Sequence, residues 1–268
     1  MSFGASLRAM PTMLRVGLSE TIAYRAEMVV WILTTTMPLV MLALWTSVAA
    51  EAPFAGFTDA DFVAYYLAAL IVRNLTSNWV AWQLAEEIRN GTLSMRLLRP
   101  VHPIAGLFAI QAAGVPLRAV VILPVIIALA LSSGGSKVVL DPGHLGLFAA
   151  SLVGAWFLTF FTFVTIGALS FFLEKSLALA EVYFGLFMVM SGYLIPLKLM
   201  PGWLRTAADW LPFRYTLGGP VEILTGQHPR LADAAGVVAA QWAWALVMAT
   251  LASITWRRGL RRYEAFGA

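Results

Sequence analysis

The chain has 268 residues, of which 60% are hydrophobic and 12% charged, about half the charged share of an average soluble domain. Its 18 basic and 14 acidic residues cannot cover the surface of a soluble fold this size, so the surplus apolar surface should face lipid; a disordered chain, a soluble nucleic-acid binder and a disulfide scaffold are excluded. The net charge of +4 then reads as basic loops on one side of a membrane, and the lack of cysteine rules out thiolate chemistry.

Phe3, Leu7, Met10, Leu14, Leu18 and Ile22 step by three or four, with Arg8, Thr12, Arg15 and Ser19 on the opposite arc. That pattern predicts an amphipathic helix over residues 1–25, lying in the membrane interface and started or kinked by Pro11. No short apolar core precedes a small-residue cleavage site here, so a cleaved signal peptide is not expected. Residues 26–268 read as one bundle, and no soluble domain fits anywhere in the chain.

A crossing helix needs about 20 mostly apolar residues. Six runs qualify: Met28–Ala50, Phe62–Leu84, Ile104–Leu131, Leu145–Leu173, Leu177–Leu197 and Ala234–Trp256. The predicted fold class is therefore an all-α integral membrane protein with six spans. Outside the spans, eleven Lys and Arg fall on the side of the termini and five on the other. The excess places both termini in the cytoplasm. Arginine outnumbers lysine 15 to 3, a composition that suggests a GC-rich bacterial genome and hence a bacterial inner membrane.

Polar residues inside the spans call for a reason, because a charge there costs at least a few kcal/mol unless paired or hydrated. Arg73 lies about halfway through span two, with Asn74, Ser77 and Asn78 around it; Arg118 lies midway along span three, with Gln111 two turns earlier. One reading lines a translocation path or dimer interface with Arg73, Asn74, Asn78, Gln111 and Arg118. The other has the arginines bind backbone carbonyls and loop acids such as Asp59 or Asp61 and lock the bundle. Glu181, near the start of span five, is expected to pair locally with Lys175 or an N-terminal arginine. The aromatic and methionine residues of spans four and five read as packing or lipid-facing surface, and Trp203, Trp210 and Trp242 as an interfacial belt.

Catalytic signatures are missing. There is no phosphate-binding loop, no H-E-x-x-H and no G-x-S-x-G, so no cofactor, metal or catalytic residue is expected on this chain. His102, His144 and His228 are placed in loops, far apart in sequence.

The most informative stretch follows span two, which runs on without a helix breaker until Asn90-Gly91. That pair can cap a helix C-terminus. Leu93, Leu97 and Leu98 then form an apolar stripe beside Arg96 and Arg99, and Pro100 and Pro103 punctuate the entry to span three. Such a segment suits either docking to a soluble partner or simple anchoring in the interface.

The run Glu86-Glu87-Ile88-Arg89-Asn90-Gly91-Thr92-Leu93, continuing to Leu97-Leu98-Arg99-Pro100, resembles the coupling loop of ATP-binding-cassette (ABC) type-2 permeases. The resemblance extends over nearly the whole chain: an N-terminal interfacial helix, six spans, and a Pro-marked segment from Ile195 to Tyr215 like the family's short outer re-entrant or interfacial helices. It implies the membrane subunit of an exporter of hydrophobic or amphipathic molecules. Two permeases, identical or different, would pair above two ATPase subunits, which would carry the ATP and Mg. Glu86, Glu87, Arg89, Asn90, Gly91, Arg96 and Arg99 would orient docking of the loop, and Leu93 and Leu97 would supply apolar contact. The competing reading is an ion-coupled carrier using Arg73, Arg118 and Glu181; no buried acid pair and no inverted repeat support it. An intramembrane enzyme ranks last, for want of any nucleophile–base or metal constellation.

Overall fold

A computed structural model describes residues 3–23 and 36–266. The described residues form helices, with no pairing beyond a lone bridge between Phe54 and Phe57. In order they are α1 (Phe3–Ala23), α2 (Met37–Ala49), α3 (Asp59–Thr76), α4 (Val80–Arg89), α5 (Leu93–Leu97), α6 (Pro103–Ala113) and α7 (Val115–Leu131). Then follow α8 (Pro142–Ala168), α9 (Ala178–Met190), α10 (Gly202–Asp209), α11 (Pro212–Thr216), α12 (Gly218–Leu224) and α13 (Leu231–Phe266). Three stretches are long and apolar enough to cross a membrane: Pro103–Leu131, Pro142–Phe171 and Leu231–Tyr263. Met37–Ala49 and Ala178–Met190 are apolar but shorter. Arg25 and the start of the first expected span, residues 28–35, lie outside the described residues.

The centre of the bundle is α3. Thr58 opens it with a capping box: its backbone N–H donates to Asp61 Oδ2 at 2.9 Å, and its hydroxyl accepts from the Asp61 N–H. Every residue from Ala64 to Val72 is buried, wrapped by α2, α7, α8 and α12. Near its N-terminal end the turn Ser133–Lys137 lies directly on α3, because a Cβ on Gly134 would fall 2.6 Å from the Ala64 nitrogen. Lys137 pairs with Asp61 at 2.9 Å, and Ser133 donates to Asp59 at 3.5 Å. The loop acids expected to hold the membrane arginines are thus engaged elsewhere.

The α8–α13 pair is the most extensive helix contact. Gly154 permits it, since a Cβ there would meet Gln241 at 2.9 Å. At 36 residues, α13 is about 54 Å long, well beyond the roughly 30 Å of a hydrocarbon layer.

Span five is shorter than the sequence suggested. Its helix, α9, stops at Met190 instead of Leu197, and the chain turns at Gly192 with φ of 84°. The freed carbonyls find side-chain donors. Tyr65 donates to the Gly192 carbonyl at 2.8 Å, and Tyr66 and Trp45 donate to the Leu194 carbonyl at 2.8 and 3.2 Å. In an apolar setting that capture is what allows the helix to end. Glu181 faces outward and makes no ion pair among the described residues, so the expected pairing with Lys175 is not found.

The N-terminal helix is present, but it packs lengthwise on α6 and runs in the same direction. The Ser6 hydroxyl accepts from the His102 N–H at 3.0 Å, while Gly17 sits against Ile110 and Ala113. The missing Cβ at Gly17 is what brings the two backbones together. Leu7, Leu18 and Ile22 stay exposed.

Between α9 and α13 the short helices α10, α11 and α12 close one end of the bundle. Arg214 on α11 joins Asp209, at the end of α10, and Glu222 of α12, the latter at 2.8 Å; His228 reaches Glu222 at 3.1 Å. His144, in the first turn of α8, bonds the His228 carbonyl at 3.1 Å, so two histidines remote in sequence are neighbours. Burial alone would raise the Glu222 carboxyl, but His228 and Arg214 hold it below the ordinary value of 4.5. Its folded pKa is therefore depressed, so its contribution to stability is present at neutral pH and lost as the pH falls through that value. Glu222→Gln should lower the melting temperature at neutral pH, where a buried pair losing one partner costs about 3–5 kcal/mol. It should also flatten the acid side of the stability profile. Parallel pH-dependent melts of the two proteins in detergent test this, and overlapping curves would refute it.

Candidate functional site

Two connected features stand out along span two: an exposed loop and, above it, a break in the helix.

The loop is built by α4 and α5. Glu87 on α4 and Arg96 on α5 form a two-pronged ion pair at 2.6 and 2.7 Å across the intervening turn. Gln83 donates to Glu87 at 3.4 Å. Gly91 takes φ of 74°, the left-handed geometry expected of it, while Asn90 stays helical. The Gly91 carbonyl accepts from Ser94 at 2.7 Å and from Tyr263 of α13 at 2.9 Å. Glu86, Arg89, Asn90, Gly91, Thr92 and Arg99 are exposed.

The apolar residues of the loop differ from expectation. Leu93 is fully buried, packed with Leu84, Ile88, Leu107 and Trp256, and Leu97 is half-buried against the same core. Neither offers a face to a partner. The exposed apolar side chains here are Met95 at 65% and Leu98 at 82% exposure. A five-residue helix has no inner face until something packs on it, and here α4 and α6 claim the Leu93 side.

The break lies at Ser77-Asn78-Trp79, between α3 and α4, where the sequence reading had one continuous helix. Ser77 is extended, with φ of −66° and ψ of 146°. Backbone groups freed this way inside a membrane need partners. Arg118 of α7 donates to the Ser77 carbonyl through Nη1. Gln111 of α6 accepts from the Trp79 N–H at 3.2 Å and donates to Gln83 of α4 at 3.3 Å. Asn78 is buried with neither amide atom partnered among the described residues.

The five polar membrane residues therefore separate. Gln111, Arg118 and Asn78 meet at the break. Asn74 turns back to the Leu70 carbonyl of its own helix at 2.9 Å. Arg73 points away, its guanidinium 5.6 and 5.2 Å from the ring centres of Phe184 and Phe187, a cation–π arrangement. Among the described residues neither arginine is ion-paired. Below the break, α4 packs on α8, where a Cβ on Gly167 would lie 2.9 Å from the Ala81 carbonyl. The arrangement has no chemistry of bond making. It is a buried half-helix, a break bonded by α6 and α7, a second half-helix and a charged loop at its tip.

Residues 29–267 match a family described as ABC-2 family transporter protein. No curated protein matches.

Proposed function

The chain belongs to the ABC-2 transporter family, and from that premise we propose that it is the membrane subunit of an ABC exporter, driven by separate ATPase subunits. The family is a membrane component of transport and works in general with an ABC ATPase. Together with the apolar helices this makes the chain a multi-pass membrane protein.

In the proposed arrangement six spans cross a bacterial inner membrane: the stretch ending in α2, α3 with α4, α6 with α7, α8, α9, and α13. Both termini are cytoplasmic. Two permeases, two copies or this chain with a different homologue, pair above two ATPases that hold ATP and Mg. The loop from Glu86 to Arg99 enters a cleft on the ATPase. Glu86, Arg89 and Arg99 face the cleft, Met95 and Leu98 add apolar contact, and the Glu87–Arg96 pair keeps the loop in one shape. Leu93 and Leu97 act from within, fastening the loop to the bundle. The cargo is a hydrophobic or amphipathic molecule moved outward.

The observation that carries this reading is the family match over almost the entire described bundle, and the exposed, internally braced charged loop suits it. An ion-coupled carrier gains nothing from the geometry, because Arg118 is spent on a backbone carbonyl and Arg73 on aromatic rings.

The test is a pull-down of the tagged protein from its native membrane after mild extraction, with mass spectrometry of what accompanies it. A nucleotide-binding ATPase should co-purify, with or without a second permease. A preparation free of any such subunit, yet competent for ion-gradient-driven flux, would overturn the exporter reading.

A further inference from the structure

Next to the C-terminal end of the bundle lies a cavity of about 430 Å³ between α1, α6, α8 and α13. Neither the loop nor the broken helix borders it. Its walls are apolar, with Leu7, Met10, Phe108, Phe160 and Phe161; its rim carries His102, Ser253 and Arg257. A second hollow of about 320 Å³ follows α13 from Leu246 to Ile254 and shares Ser253 and Arg257 with the first. Two apolar grooves thus meet at one cation.

That cation has no counter-charge among the described residues. Arg257 is exposed and makes no ion pair among the described residues. No acidic side chain lines either hollow. His102 responds to the same setting: burial first, and then nearby positive charge including Arg257, holds its imidazole below the ordinary value. Its Nδ1 accepts from the Ile104 N–H at 3.3 Å, which leaves Nε2 as the donor of a neutral ring.

We propose that this is a binding site for an anionic phospholipid, with its phosphate against Arg257 and one acyl chain in each hollow. The anion supplies the missing counter-charge. The dimensions agree: Leu246 to Arg257 is about 16 Å of helix, roughly half the thickness of a hydrocarbon layer and so one leaflet's depth. In the topology proposed above that leaflet is the cytoplasmic one, where anionic lipids are concentrated; the inference rests on that reading only for the choice of leaflet. The lipid has a structural task. Among the described elements α1 packs extensively only on α6, and a lipid filling the first hollow joins α1 to α13.

The test uses the full-length chain alone in mild detergent, so its result does not depend on an ATPase partner. Phosphatidylglycerol and phosphatidylcholine with matched acyl chains are titrated, and bound lipid is counted by native mass spectrometry. Phosphatidylglycerol should be preferred by about tenfold, the scale of a desolvated charge contact. Arg257→Gln should abolish the preference. Arg258→Gln, which removes the same charge one residue on and borders neither hollow, should keep it. Ser253→Phe, which blocks the shared rim, should weaken both lipids. Equal affinity for the two lipids in the wild type, or equal losses in the two arginine variants, would overturn the proposal. A pull-down without an ATPase would leave it standing.

Discussion

Arg118→Met should strongly destabilise the protein. The wild-type guanidinium donates to the Ser77 carbonyl where α3 has already ended. Methionine matches its length and apolar stem but leaves that carbonyl without its donor, at a cost of about 1–3 kcal/mol. The loss also weakens the start of α4, where Gln111 still accepts from the Trp79 N–H. The combined effect should be about 3 kcal/mol or more, a level reached when a buried polar network is broken. Arg118→Lys should fall between, since one ammonium can reach the carbonyl but lacks the planar fork. Thermal unfolding in detergent measures all three proteins. Coincident melts for Arg118→Met and wild type would mean that the break needs no donor from α7.

Charge reversal within the loop should act on coupling and hardly at all on folding. The Glu87–Arg96 pair is partly exposed, with 19% and 16% of the two side chains accessible, so its worth to stability is about 1 kcal/mol or less. Its geometry matters more, because it fixes α5 against α4 across the intervening turn. Glu87→Arg or Arg96→Glu sets like charges where the pair was and should splay the loop. In the complex with its ATPase, either change should reduce stimulated hydrolysis at least tenfold, about 1.4 kcal/mol or more of lost interaction. The double exchange should recover most of it. A double exchange no better than either single variant would show that each residue addresses the ATPase and not its neighbour.

These two predictions fall on features that differ in how plainly the sequence announces them. The long spans were legible because α6–α7, α8 and α13 are apolar over more than the needed length. The loop was legible because Glu86 to Arg99 combines a turn signal with charge between two apolar runs. The break was not: Ser77-Asn78-Trp79 contains neither glycine nor proline, and what stabilises it is Arg118, 41 residues away. The early end of α9 was partly legible, because Gly192 and Pro196 are helix-ending residues; what the apolar run hid is that its carbonyls are claimed by Tyr65 and Tyr66, more than a hundred residues earlier. Leu93 points inward for a related reason: on so short a helix the neighbours decide the inner face, not the periodicity. Gln111 was singled out, as a path or interface residue; its role as a backbone partner could also have been read. A glutamine two turns from a membrane arginine, with no charge to serve, marks backbone that needs a partner.

The hydrogen bond from Tyr263 to the Gly91 carbonyl makes the far end of the chain a neighbour of the loop. The last helix starts beside α11 and α12 and comes to rest on the turn at its other end. A small fluorophore placed just beyond Tyr263 would therefore report on the loop without being inserted into it. A bulky domain fused there would crowd whatever docks on Glu86 and Arg89. In the proposed assembly, an insertion after α13 would decide whether the docking surface stays open.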